Sequence, residues 1–260
     1  MRGRPRRTVL AFCLAIAVVG PTAGLWRSEE HSPYCSCGAH HGMGQLTAAE
    51  RFDAPSSSPA RRLPAEAKAA LDQLIEGNNR FAAGKPKHVH TSKEWREELA
   101  NDQKPFATIL GCSDSRVPPE LIFDRGFGDL FIVRVAGNCV DPEVTGSLEY
   151  AGRHLGTRLF VVLGHERCGA VTAVVAADAE MEKEPPGLTM LLQRIRPSLK
   201  SVDRKLSKEK QIAAAIEANV RWSMKQLREA PEHQKAFEAN LIGLVGAVYE
   251  LKTGKVRFLE

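Results

Sequence analysis

Two cysteines and a histidine stand where short apolar runs end: Cys112 follows Phe106 to Gly111, and His165 and Cys168 follow Leu159 to Leu163. Such runs, separated by helical stretches such as Val144 to Leu155, predict parallel strands with helical crossovers. Ligands of open α/β sheets bind beyond the carboxyl ends of those strands. Two thiolates and one imidazole brought to that edge form a soft donor set suited to zinc, with a fourth position left for water. Taken singly, these residues read equally as small buried hydrophobes and a satisfied core histidine, and His-x-x-Cys alone is a weak signal. The run Cys112-Ser113-Asp114-Ser115-Arg116 adds a carboxylate and a guanidinium beside the first candidate ligand. A structural zinc knuckle seldom needs such an ion pair, whereas a catalytic metal needs a group that manages its open position. Elsewhere on the surface the same pair would be a salt bridge worth little.

The elements that must position these residues are legible on both sides. Ala67, Ala70, Leu71, Leu74, Ile75 and Phe81 recur at helical spacing from Glu66 until Gly84, which predicts an amphipathic arm whose apolar stripe needs burial. Leu130 to Val135 supplies a further strand, Leu188 to Phe237 is charged and mostly helical in pattern, and Leu241 to Leu251 returns to strand. A Thr253-Gly254 turn then leads to Val256 to Leu259 as a short hairpin partner. The fold class is therefore α/β: a mainly parallel central sheet with flanking helices, an N-terminal helical arm and a C-terminal antiparallel edge strand.

Cys-Ser-Asp-Ser-Arg at 112–116, followed by Gly164-His165-Glu166-Arg167-Cys168-Gly169, resembles the signature of the bacterial type of β-carbonic anhydrase. Glu76-Gly77-Asn78, Gly128 to Asn138, Ser147 to Tyr150, Gly164 to Val171 and Val245 to Leu259 are similar to that family as well, so the resemblance covers residues 66–260. It implies a zinc enzyme that hydrates carbon dioxide reversibly to bicarbonate and a proton through a metal-bound hydroxide. By motif, Cys112, His165 and Cys168 would be ligands to one zinc per chain, with Asp114 and Arg116 the acid-base and orienting pair. In some members that carboxylate instead takes the fourth position on the metal. Gln103 would donate to a substrate oxygen, while Phe131, Ala136, Tyr150 and the backbone of Gly169 would line the cleft. Ala136 is smaller than the valine of some relatives. Read by themselves, Phe131 and Tyr150 are core aromatics; in the resembled family the cleft forms between subunits of a dimer or a higher even oligomer, so both readings can hold, and the resemblance implies that the arm from Glu66 to Gly84 packs on the partner subunit. Similar scaffolds hydrolyse carbon disulfide or carbonyl sulfide, and a non-catalytic zinc protein is the reading from another class. The presence of both Asp114 and Arg116 argues against the latter.

Residues 1–24 carry Arg2, Arg4, Arg6 and Arg7 and no acid, so the net charge of +5 falls to +1 without them, 32 basic against 31 acidic residues. A nucleic-acid binder keeps its basic surplus in the folded part, which excludes that class. The cationic start and the apolar run Val9 to Val19, about half of the roughly 20 residues a membrane span needs, predict an export signal ending near Ala23 or Gly24, with periplasmic destination. A short uncleaved anchor is the alternative and the only expected membrane contact. Arg6-Arg7 before Thr8 also resembles a twin-arginine signal, which exports folded proteins. Residues 25–65, rich in Ser, Pro, Gly and His, read as a tether. In it Cys35 and Cys37 are a second metal site, a redox pair or incidental thiols. Cys139 reads as structural, and Cys13 belongs to the leader.

Overall fold

The computed structural model describes residues 63–176 and 181–259. The predicted leader and tether, with Cys13, Cys35 and Cys37, lie outside the described residues apart from positions 63–65.

The chain runs through α1 (Ala65–Ala82), α2 (Lys93–Glu98), β1 (Ala107–Gly111), α3 (Pro119–Ile122), β2 (Leu130–Arg134), α4 (Pro142–His154), β3 (Leu159–His165) and α5 (Gly169–Ala176). It continues with α6 (Pro186–Ile195), α7 (Lys208–Glu229), α8 (Pro231–Glu238), β4 (Gly243–Tyr249) and β5 (Val256–Leu259). The strands form one sheet in the order β2-β1-β3-β4-β5. All neighbours are parallel except β4 and β5, which pair antiparallel through Gly246↔Leu259 to Tyr249↔Val256. This is the predicted α/β architecture, with every expected strand present.

Every residue of β1, β3 and β4 is buried, because helices cover both faces of the sheet; such strands read as continuous apolar runs and not as alternation. On one face α7 lies directly over β3 and β4. Its approach depends on glycine: a Cβ at Gly164 would come within 2.6 Å of Val220 Cγ2, and one at Gly246 within 2.6 Å of Met224 Sδ. A larger residue at either place would lift the helix from the sheet. The long stretch predicted as mostly helical is divided by prolines. Pro197 sits in the first turn of the 3-10 segment Arg196–Ser201 that closes α6, and Pro231 opens α8.

The arm forms as α1; of its apolar stripe, Ala67, Ala70 and Leu74 are buried within the chain, with the helix packed on α3 and β3. Polar bonds complete the docking. Asn78 donates to the carbonyls of Ile122 (3.1 Å) and Gly254 (2.8 Å) and accepts from the Val256 N–H at 2.8 Å. Arg80 Nε donates to Asp124 Oδ2 at 2.6 Å, and the Lys87 and His88 N–H groups donate to the same carboxylate. Leu71, Ile75 and Phe81, the rest of the stripe, are half-buried in the single chain. Among the described residues no helix is long and apolar enough to cross a membrane.

Candidate functional site

The parallel register Gly111↔Leu163 aligns the ends of β1 and β3. Cys112 is the residue after β1 and His165 the last of β3, so both emerge at one sheet edge. The turn through Glu166 and Arg167, with Arg167 in the left-handed region at φ 53°, reverses the chain and sets Cys168 just before α5. The ligand atoms of Cys112, His165 and Cys168 all lie within 4.8 Å of one another, and all three residues are buried.

The chemistry of this trio fits a metal. His165 Nδ1 faces the Glu166 carbonyl at 2.8 Å, which fixes that nitrogen as the donor and leaves Nε2 with a free lone pair. Nε2 is buried and has no hydrogen-bond partner; an orphaned buried acceptor of this kind is costly unless a cation satisfies it. The two thiols are shifted in opposite directions. Cys112 is drawn down, first by Cys168 and then, against the opposing effect of burial, by His165 and the backbone of Asp114 and Gly137. Cys168, as the thiol that donates, is pushed up, with burial adding to the effect. Two sulfurs and an imidazole nitrogen in a buried setting are the donor set that zinc prefers.

Asp114 and Arg116 occupy the flank. Arg116 donates to Asp114 Oδ1 through its backbone N–H and Nε, both at 2.9 Å, and to Oδ2 through Nη2 at 2.7 Å. The guanidinium holds the carboxyl well below the usual carboxylate range, outweighing burial, with help from the Arg116 N–H and the nearby His165. Asp114 Oδ2 stands 3.9 Å from His165 Nε2, so a carboxylate fixed by two-pronged contacts overlooks the ligand cluster. Arg116 Nη2 also reaches the Arg167 carbonyl at 3.4 Å, tying the two ligand segments together.

Several residues that support the site escape sequence reasoning. Arg134, at the end of β2, donates through Nε to the Cys112 carbonyl at 2.9 Å and through Nη2 to the Asp114 carbonyl at 2.6 Å. A charge closing an apolar strand, level with Gly111 just before Cys112, is the signal that could have found it. The Gly137 N–H donates to Cys112 Sγ at 3.3 Å. Asn219 and Ser223 on α7 are buried and donate to the carbonyls of Gly137 (2.8 Å) and Asn138 (2.9 Å). Cys139 is structural: its Sγ donates to the Ala136 carbonyl at 3.3 Å, and burial pushes its thiol up to about 12.

The residues expected to line a substrate cleft divide into two groups. Ala136 begins the turn whose Gly137 touches Cys112, and Gly169 follows Cys168 at the start of α5, with open space beside its Cα. Gln103, Phe131 and Tyr150 are not brought to the cluster within the chain. Gln103 is exposed and precedes the opposite end of β1. Phe131 pairs with Thr108, four residues short of Cys112, or roughly 13 Å along the strand. Its ring lies 6.2 Å from that of Tyr150, which is 47% exposed.

Comparison with known proteins agrees with this geometry. Residues 107–256 match the family described as carbonic anhydrase. Carbonic anhydrase 2 of Mycobacterium tuberculosis is 48% identical over 131 residues, 50% of this chain, and the matched part spans 63% of that relative's length. The carbonic anhydrase of Mycolicibacterium smegmatis is 38% identical over 204 residues, covering 78% of this chain and 94% of that protein. Among solved structures, the β-carbonic anhydrase CcaA is similar with a TM-score of 0.61 at 28% identity, covering 73% of this chain and 95% of its own. The Coccomyxa β-carbonic anhydrase in complex with acetazolamide is similar with a TM-score of 0.58 at 26% identity, covering 75% and 87% respectively.

Proposed function

The chain belongs to the β-carbonic anhydrase family, and from that premise we propose that it catalyses the reversible hydration of carbon dioxide to bicarbonate and a proton. The observation that carries this reading is the buried Cys112, His165 and Cys168 cluster overlooked by the Arg116-held carboxylate of Asp114. These three residues would hold one zinc ion, which supplies the Lewis acidity that makes water nucleophilic near neutral pH.

The chain's own residues do the rest. Asp114, kept ionised by Arg116, is an acceptor only; it takes a hydrogen bond from the reacting water and turns a lone pair toward the substrate carbon. Arg116 prevents the carboxylate from rotating, and Arg134 holds the carbonyls on both sides of Ser113, so Asp114 and Cys112 keep a fixed separation. The N-terminus of α5, beginning at Gly169 beside the cluster, presents the positive end of a helix dipole where the bicarbonate anion forms.

Gln103, Phe131 and Tyr150 enter the same site only from another copy. Phe131 lies in β2, an edge strand of the sheet, with the exposed Tyr150 beside it, and an apolar edge of this kind suits an isologous contact. We assign the working form to a homodimer or a higher even oligomer. Export to the periplasm is part of the same proposal and rests on the arginines and apolar run of residues 1–24.

Stopped-flow assay of carbon dioxide hydration on the zinc-loaded chain tests the function. Rapid hydration that a chelator removes and added zinc restores is the expected result. Turnover of carbon disulfide or carbonyl sulfide without carbon dioxide hydration, or no turnover of any of the three, would overturn it.

A further inference from the structure

The turn Ala136–Asn138 is built in an unusual way. Gly137 and Asn138 both sit in the left-handed region, at φ 68° and 44°. The glycine is required there: a Cβ on Gly137 would come within 2.6 Å of Ile195 Cδ1. Consecutive left-handed residues in a non-hairpin setting are disfavoured unless their surroundings hold them. The holding groups come from α7, more than eighty positions later in the chain, where Asn219 and Ser223 lie one helical turn apart and are each only 1% exposed. Asn219 Nδ2 donates to the Gly137 carbonyl at 2.8 Å, and Ser223 Oγ to the Asn138 carbonyl at 2.9 Å. Of the two, only the Asn219 bond is made to the residue whose own N–H is aimed at Cys112 Sγ, from 3.3 Å.

We propose that Asn219 is a positioning residue for the metal centre, anchoring Gly137 so that its N–H donates to the Cys112 sulfur. The inference rests on the reading of Cys112 as a metal ligand. An N–H···S bond takes charge from a thiolate, orients its remaining lone pairs and restricts the side chain to one rotamer, as partners of metal ligands generally do. Ser223 anchors the next residue, whose N–H does not reach the sulfur, and so serves as an internal control: a buried hydrogen bond from the same helix to the same turn without the link to Cys112.

The test uses the 260-residue chain loaded with zinc or cobalt(II). Metal affinity is measured by competition with a chromophoric chelator, the sulfur-to-cobalt charge-transfer band by absorption, and thermal stability in parallel. Asn219→Ala and the near-isosteric Asn219→Leu, which keeps the packing if the alanine variant fails to fold, should bind metal about 10- to 100-fold more weakly and shift the charge-transfer band. Ser223→Ala should lose comparable thermal stability yet keep the parent affinity and band. Parent-like affinity and spectrum in a folded Asn219 variant overturn the inference alone. So does an equal loss of affinity in Ser223→Ala, which would make the effect one of general packing. A Cys112→Ser variant that keeps the parent affinity and charge-transfer band overturns both this inference and the reading of Cys112 as a ligand.

Discussion

The carboxyl edge of β1 and β3 and the outer edge at β2, the two regions from which we propose the site is assembled, are finished to different degrees within a single chain. At the first, the donors of Cys112, His165 and Cys168 converge within 4.8 Å and are buried, and the neighbouring carbonyls and N–H groups are held by Arg116, Arg134 and Asn219. At the second, Phe131 and the 47% exposed Tyr150 make a loose aromatic pair that reaches no part of the cluster. The difference follows from what each half must do. Metal ligands need separations fixed to fractions of an ångström, which a rigid sheet edge supplies. Walls for a small apolar substrate need only exclude water and can be assembled across subunits.

The sharpest way to break this comparison is to attack the finished half. Cys112→Ser or Cys168→Ser should cost metal affinity beyond the roughly 10- to 100-fold of an outer-shell change and abolish hydration, as read by metal content after gel filtration and by stopped flow. Retention of one metal per chain in both variants would remove the thiols from the site. Next in size, Asp114→Ala and Arg116→Ala should keep the metal but slow hydration by about 10²- to 10⁴-fold, because they act on the reacting water and not on the ion. Full activity in either variant removes that residue from the mechanism.

The unfinished half should respond in the opposite sense. Tyr150→Asp places a charge on the proposed contact; light scattering should then report a smaller species, and activity should fall while bound metal stays near one per chain. An assembly of parent mass with parent activity would deny that β2 is the contact edge.

The smallest expected effect belongs to the arm, which serves neither half directly. Burial raises the Asp124 carboxyl, but the Lys87 N–H, the Arg80 guanidinium and the His88 N–H outweigh it and leave the group below its usual range. The folded chain therefore binds this proton less readily than the unfolded one. The stabilisation is complete above the ordinary carboxylate range and fades as the pH falls through it. Asp124→Asn should cost about 2 kcal/mol at neutral pH, and the gap in Tm between parent and variant should narrow on acidification. A gap that stays constant from about pH 7 to 3 would show that Asp124 does not titrate with folding.

What the sequence made legible follows the same division. Cys112, Asp114, Arg116, His165 and Cys168 are contributed by two compact runs at strand ends, and short apolar runs announce strands reliably when both faces of a sheet are covered. Asn219 and Ser223 are hidden because a polar residue in an amphipathic helix reads as part of a solvated face, and only the fold shows that α7 presents them to the turn at Gly137. The stripe of α1 announced burial, and α3 and β3 of the same chain supply it for Ala67, Ala70 and Leu74. Gln103, Phe131 and Tyr150 were reached only through a family resemblance, since nothing in their own spacing joins them to the cysteines.

X-ray absorption at the metal edge of the zinc-loaded chain tests the central claim most directly. The account predicts one ion per chain bound by two sulfurs and one imidazole nitrogen, with a light oxygen donor completing the set. Four sulfurs, or a shell containing no sulfur, would contradict it.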